Sequence, residues 1–196
     1  LCLLLLTGCA APAQPSAGGF TFTDDLGRSV TVDTPKRVAC LLGSFAQIWQ
    51  LAGGQVIATA VDAWDDLGLE LPEDCVNLGN TKELSLELLL ASQPDFVLAS
   101  SNTRQNVEWM ETLEAAGIPT AYFDVADFDG YLRLLKLCTD ITERPDLYEQ
   151  HGLAECLHSA VYRCVVFNEN CNEFHWLVLR IGINPKYKQY VLHLIR

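Results

Sequence analysis

The residues of this chain that could do chemistry fall in short polar loops that follow apolar runs. Gly43-Ser44-Phe45 ends one such run and Asp62-Ala63-Trp64 another, with Asn80-Thr81-Lys82, Ser101-Asn102-Thr103-Arg104 and Asp124-Val125 further along. If the apolar runs are strands of an open parallel sheet, these loops share the edge at the strands' carboxyl ends, where such sheets meet their ligands. The chemistry on offer is recognition. Lys82 and Arg104 are two of only eight bases before residue 151 and stand where they would meet an anionic ligand, although solvated loop charge is the plainer alternative. Trp64 and Phe45 can stack on a flat or greasy ligand or, equally, anchor their loops by packing. Ser44, Thr81, Ser101, Asn102 and Asp124 complete the candidate ligand-binding set.

Bond-making chemistry has little to draw on. All four histidines, His151, His158, His175 and His193, lie after residue 150, so a Ser/His/Asp triad or a histidine acid/base pair would have to recruit the end of the chain. The glycines form neither a Walker loop nor a G-x-G-x-x-G turn after a strand. Asp65, Asp66, Glu70, Glu73 and Asp74 make an acidic stretch, but without the alternating spacing and glycine of a calcium loop. Cys156 with His158, and Cys164 and Cys171 with His175, lack the paired close spacing of structural zinc. Cys2, Cys9, Cys40, Cys75 and Cys138 are too scattered for a disulfide framework, and Cys40 and Cys138 sit in apolar runs where a buried thiol is expected.

Across 196 residues, 25 acids against 13 bases give a net charge of −12, a field that repels nucleic acid and anionic lipid. The imbalance is uneven. Residues 1–150 carry 22 acids and 8 bases, whereas residues 151–196 carry 3 acids and 5 bases. Usage of Cys and His changes at the same point, and the last stretch shows no alternation of strand and helix.

The positioning elements follow in order. Residues 1–6 are apolar but far short of the about 20 residues that span a bilayer, and they read as the end of an export signal whose beginning is missing. Residues 10–19, small, proline-containing and uncharged, read as a flexible tether. A hairpin is expected over residues 20–32 with Gly27 in its turn, then a buried strand over 37–42 after Pro35. Gly43-Ser44 opens a helix through Phe45, Ile48, Trp49 and Leu51 that Gly53-Gly54 closes, and residues 56–60 form the next strand. Ser85 caps a short buried helix with Glu87 in its first turn; Gln93-Pro94 ends it and hands the chain to a strand at Phe96. Residues 103–116 form one amphipathic helix along Val107, Met110 and Leu113, stopped by Gly117 ahead of a strand over 118–123. A long helix from Phe128 to Glu149 breaks near Pro145. The fold class is α/β, a Rossmann-like parallel sheet with helices packed on it.

Ser85-Leu86-Glu87 and then Gln93-Pro94-Asp95-Phe96-Val97-Leu98, flanked upstream by Asp25-Leu26-Gly27-Arg28 and Pro35-Lys36-Arg37-Val38, resemble the N-terminal lobe of periplasmic binding proteins that serve ABC importers of ferric siderophores, haem and cobalamin. The resemblance covers about residues 20–154. It implies a signal remnant over 1–9, a linker over 10–19, an N-terminal lobe over 20–127, an inter-lobe helix over 128–150, and an atypical tail over 151–196 in place of most of a second lobe. The tail reads as a truncated or frame-shifted end, or else as a small divergent β-rich extension.

The implied function is solute binding without catalysis and without a cofactor. The ligand is a small metal chelate, the partner is an ABC permease, and the chain is a monomer that binds no nucleic acid. Glu87 takes the position whose carboxylate pairs with a permease arginine in the resembled proteins, and Thr81 stands where cobalamin binders carry a stacking aromatic. Leu6-Thr7-Gly8-Cys9 resembles a bacterial lipobox, implying an extracytoplasmic protein held to the membrane by a lipid on Cys9. The alternatives are a remnant that binds nothing and a metal-binding protein built on the Cys/His tail.

Overall fold

A computed structural model describes residues 19–152. The chain opens with an antiparallel hairpin of β1 (Phe20–Thr23) and β2 (Ser29–Val32). Five parallel strands then build the body: β3 (Val38–Cys40), β4 (Val56–Thr59), β5 (Val76–Asn77), β8 (Phe96–Ser100) and β9 (Thr120–Phe123), in the spatial order β5-β4-β3-β8-β9. A small antiparallel hairpin, β6 (Gly79–Asn80) and β7 (Glu83–Leu84), stands beyond the end of β5.

The expected cap of the short helix is present: Ser85 accepts the N–H of Leu88 at 3.2 Å, opening α3 (Leu86–Ala91). Glu87 lies in its first turn, where the helix dipole favours a carboxylate. Asp95 then locks the return into β8. Its carboxylate accepts the backbone N–H groups of Lys36 and Arg37, both at 2.9 Å, and its own N–H donates to the Arg37 carbonyl. The Arg37 guanidinium reaches the other way, donating to the carbonyls of Ser92 at 2.6 Å and Gln93 at 3.0 Å at the end of α3. Gln93 takes a left-handed turn with φ 51°, which Arg37 thereby clamps. The clasp fixes Val38 opposite Phe96 and so sets the register of the central strand β3 against its neighbour β8.

Both sheet faces are covered. One side packs α1 (Gly43–Leu51) and α6 (Phe128–Ile141) with the β1–β2 hairpin over Val38, Cys40, Phe96, Leu98 and Phe123. Trp49 meets Phe96 edge to face and donates its indole N–H to the Gln55 carbonyl; a side chain on Gly54 would overlap the indole, so this tight turn admits only glycine. Thr142, after α6, donates its hydroxyl to the Ala52 carbonyl at 2.6 Å and ties the two helices. The other face packs Leu89 of α3, and Trp109 and Leu113 beside α4 (Arg104–Glu108) and α5 (Met110–Ala115), onto Ala39, Leu41, Val97, Ala99 and Tyr122. Gly117 closes α5 in a left-handed turn, with Ile118 N–H on the Leu113 carbonyl and Gly117 N–H on that of Glu114, the double bond of a Schellman stop.

Several expectations need correction. The helix foreseen over 103–116 is two helices meeting at Trp109, and its buried line is Asn106, Trp109 and Leu113, with Val107 and Met110 only half-buried. The helix α3 is not buried on most sides: only Leu89 is, and Leu88 is 43% exposed. Residues 62–65 form a helical turn, α2 (Asp62–Asp65), instead of a loop. The long helix stops at Ile141, before a left-handed Glu143 (φ 57°), and resumes only as α7 (Pro145–Leu147) and a π-helical turn, Tyr148–Gly152. The lipobox with Cys9, the tether up to residue 18 and the tail after residue 152 lie outside the described residues.

Two outcomes test this account. Asp95→Ala removes both acceptors of the clasp and lowers unfolding stability by about 1–2 kcal/mol, with Asp95→Asn losing about half as much, read from urea midpoints. Burial lifts the Cys40 and Cys138 thiols well above their ordinary range and pushes half-buried Cys75 up to about 11, Asp74 adding to the effect. Because a thiol pKa raised by folding favours the unfolded thiolate, the contribution of Cys75 is whole below about pH 9 and is lost as pH rises through 11, with Cys40 and Cys138 acting in the same direction. The melting temperature therefore falls over that window, and a Cys75→Ala variant falls less.

Candidate functional site

The strand order places the site. From β3 the chain steps outward to β4 and β5, then crosses back to lay β8 on the other side of β3 and moves outward again to β9. The carboxyl ends of β3 and β8 are thus a topological switch point, where the following connections part to opposite faces and leave a crevice. Gly43-Ser44 follows β3 and Ser101-Asn102 follows β8, so these two loops flank it.

On the β3 side, α1 begins at Gly43 with no side-chain cap of its own, and the Asp62 carboxylate takes the Gly43 N–H with both oxygens at 3.0 and 3.1 Å. A β-carbon on Gly43 would lie 2.6 Å from the Ala63 nitrogen, so glycine is what lets α2 come this close. The contact seats α2, on which Trp64 is half-buried, against the start of α1, where Ser44 is exposed. Phe45 is corrected here. It is 2% exposed within the α1 core, so its ring packs the lobe and offers no face to a ligand.

On the β8 side the hydrogen bonds run inward. Asn106, fully buried, accepts the Ser100 N–H at 3.0 Å; the Ser100 hydroxyl accepts the Asn102 N–H at 3.2 Å; and the Ser101 N–H reaches the Phe123 carbonyl at 3.0 Å. Asn102 donates its amide to Asp124 at 2.6 Å, and the Asp124 N–H donates to Asp25 at 2.7 Å. Asn102 and Asp124 therefore brace the ends of β8 and β9 on each other and on the turn of the first hairpin. Buried Asp24 organises that turn by accepting the N–H groups of Leu26 and Arg28, and Arg28 lies over the Tyr122 ring while pairing with Glu114 at 3.0 Å. Tyr122 is fully buried, and burial pushes its phenol up to about 12 against a partial offset from Arg28.

Thr81 and Lys82 form the tip of the β6–β7 hairpin. Asn80 accepts the Lys82 N–H at 3.0 Å and Asn77 that of Gly79 at 2.8 Å, so side-chain acceptors shape the turn. The hairpin is fastened to α4 by Gln105, whose amide donates to the Leu84 carbonyl and accepts the Leu84 N–H, both at 3.0 Å. The two cations of the rim differ. Lys82 is exposed and makes no ion pair among the described residues, whereas Arg104, 92% exposed, already pairs with Glu108 at 2.7 Å. Glu87 is exposed at the start of α3, the helix that descends from this same edge, and it too makes no ion pair among the described residues.

Ser44, Trp64, Thr81, Lys82, Ser101, Asn102, Arg104 and Asp124 thus share one edge; Phe45 alone turns away. Asp62, Gln105, Asn106 and Asp25 position that set and were not among the expected site residues. The partners of all four are set by tertiary contact: Asp62 meets Gly43 across 19 residues and Asp25 meets Asp124 across 99, so no local pattern signals them. Among the described residues no three His, Cys, Asp or Glu side chains are grouped to hold a metal ion, and no helix is long and apolar enough to cross a membrane. A groove of about 460 Å³ bordered by Gln47, Gln50, Leu69 and Arg144 opens at the far end of α1, away from the rim.

A parallel α/β lobe with a crevice at its switch point has the layout in which open sheets of this class meet their ligands. The periplasmic binding protein family matches residues 38–154, and the chain belongs to it. No curated protein matches the chain by sequence. Among solved structures, the siderophore-binding protein BauB, bound to ferric iron with two acinetobactin molecules, is 20% identical at a TM-score of 0.57, over 72% of this chain and 53% of its own. A periplasmic haem-binding protein of Pseudomonas aeruginosa is 20% identical at 0.54, over 65% and 46%. The molybdate-binding protein MolA of Haemophilus influenzae is 18% identical at 0.54, over 72% and 53%. The chain thus spans about half the length of these neighbours, and the likeness is one of fold.

Gly43→Ala tests how the rim is seated. Pressed against the Ala63 backbone and the Asp62 carboxyl carbon, the new methyl costs about 2 kcal/mol and displaces α2. A shifted Trp64 emission maximum, absent from a Trp64→Phe version of the same variant, reports the displacement; an unchanged spectrum and melting temperature count against the contact.

Proposed function

We propose that this lobe forms one wall of the ligand cleft of an extracytoplasmic solute-binding protein, which passes a metal chelate of the ferric siderophore, haem or corrinoid type to an ABC permease. The observation that carries the proposal is the gathering of Ser44, Trp64, Thr81, Lys82, Ser101 and Arg104 at the carboxyl ends of the parallel strands, around the switch point between β3 and β8. Trp64 supplies a half-buried ring for stacking and the hydroxyl residues supply hydrogen bonds. Lys82 meets a carboxylate, propionate or phenolate oxygen of the ligand, with Arg104 joining by exchanging Glu108 for the ligand. Asn102 and Asp124 hold the loops in place without spending their polar groups on the ligand. Thr81, where a stacking aromatic would serve a corrinoid, favours the iron chelates over cobalamin.

Glu87 is the docking carboxylate for an arginine on the permease. Its exposure at the same end of the lobe as the ligand rim supports that role. Cys9 is the lipid anchor that keeps the lobe near the membrane. Nothing in this scheme makes or breaks a covalent bond in the ligand; binding free energy goes into selection and delivery.

Two measurements test the scheme. Titrating this chain with the ferric complex of a linear trihydroxamate, and reading Trp64 quenching against Trp64→Phe, gives a dissociation constant weaker than about 1 μM, because one wall supplies only part of the buried contact; submicromolar binding overturns the need for a second wall. In a two-lobed relative, replacing the Glu that corresponds to Glu87 by Ala lowers permease association several-fold without changing chelate affinity, and unchanged transport removes the docking role.

A further inference from the structure

We propose that Gln105 is the positioning residue of the rim: by clasping both main-chain groups of Leu84 it joins the hairpin that carries Thr81 and Lys82, the helix that carries Arg104, and the cap of the helix that carries Glu87 into one mechanical unit. What the rim reads rests on the solute-binding proposal above; the mechanical link stands on the geometry alone.

The β6–β7 hairpin has two residues per strand, and an isolated ribbon of that size is marginal in water. Its own ladder pairs only Gly79 with Leu84 and Asn80 with Glu83. The main-chain groups of Leu84 that would otherwise be left at the ribbon's edge are both taken by the Gln105 side chain, at 3.0 Å each, across 21 residues of sequence. A primary amide can donate and accept at once, which is what a missing strand would have done. Leu84 itself is 5% exposed, so without Gln105 its N–H and C=O would be left in a largely dry setting.

The neighbours of the two residues make the link consequential. Arg104 precedes Gln105 in α4. Two residues before Leu84 is Lys82 at the hairpin tip, and the next residue after it is Ser85, the cap of α3, whose own N–H also holds the Leu78 carbonyl. Lys82 and Arg104 are therefore kept at a fixed offset, and displacement of either by a ligand bears directly on the first turn of α3, where Glu87 is exposed. Among the described residues, Gln105 is the side chain of α4 that hydrogen-bonds to the hairpin.

Amide hydrogen exchange on the full chain tests the link. Gln105→Ala speeds exchange at the Leu84 N–H about ten-fold and carries the loss of protection into Ser85 and α3. Gln105→Glu gives a signature that lost packing cannot. Ionised, the carboxylate still accepts the Leu84 N–H but has no proton for the Leu84 carbonyl; protonated, it restores both bonds. Folding thus raises the pKa of this Glu, its protection is whole at low pH and is lost as pH rises through that raised value, and exchange relative to wild type recovers as the pH is lowered through it. Leu84 exchange within two-fold of wild type in Gln105→Ala, or a Gln105→Glu defect equal at every pH, overturns the proposal. A ferric linear trihydroxamate then separates the link from the reading it serves. In the wild-type chain its paramagnetic broadening reaches the Lys82 and Arg104 amides together, and in Gln105→Ala the two respond separately. Absence of broadening at both in the wild type strikes the solute-binding proposal and leaves the exchange result standing.

Discussion

The lobe depends on a charged clasp between two short stretches almost sixty residues apart. Asp95 holds the start of β3 by two backbone N–H groups, and Arg37, whose own N–H is one of them, closes the end of α3 by two carbonyls. Each partner thereby satisfies backbone groups that a helix end and a strand start leave orphaned. Because β3 is the central strand and β8 its interior neighbour, a slip at this joint would turn every side chain of one strand to the wrong face. The clasp therefore selects which apolar set faces α1 and α6 and which faces α3 to α5. It lies at the amino ends of the strands, the end that carries stability, and leaves the carboxyl ends free to vary.

At those carboxyl ends the polar groups divide into two kinds. Asp62, Asn102, Asn106, Gln105 and Asp124 have their hydrogen-bonding capacity turned inward, onto backbone groups or onto each other. Ser44, Lys82 and Glu87 are exposed and largely uncommitted, and Trp64 is half-buried. A rim made this way presents a few side chains from loops that cannot wander, which limits the conformational entropy lost when something binds. The tip of the hairpin follows the same rule on a smaller scale, since Asn77 and Asn80 shape it and leave the Lys82 side chain outside.

Much of the layout was legible in the residues. The unbroken apolar run from Phe96 reads as a strand covered on both faces and is buried at every position; Ser85, Gly117 and the Gly27 turn behave as their types dictate. What misled was periodicity in short segments. Val107, Met110 and Leu113 fit a helical stripe, yet Asn106 occupies the deepest place on α4 because its side chain replaces a strand partner for Ser100, and a polar residue in that role carries no apolar signal. Phe45 can be read either as a rim aromatic or as the first apolar residue of the helix that Gly43-Ser44 opens; the turn of that helix swings it into the core and leaves Ser44 outside. The hairpin at Gly79 has strands too short to show alternation, and the pairing of Gln105 with Leu84 spans a separation at which no local pattern exists.

The charge on the rim bears on what it can hold. Two cations over so acidic a lobe suggest an anion trap, but the pair of Arg104 with Glu108 means that only Lys82 enters the count whole. That pair sits one turn apart on an exposed helix face, where such a contact contributes little because water and salt screen it and both side chains lose freedom. Arg104 can therefore trade Glu108 for a ligand oxygen at small cost, whereas Asp124, held by Asn102 and by Asp25 through its backbone, cannot turn away from an approaching anion. An anionic ligand would gain on the Lys82 side of the crevice and lose on the Asp124 side. Under the proposed solute-binding role, a ligand with its acidic groups gathered at one end would be preferred to one with negative charge spread evenly around it.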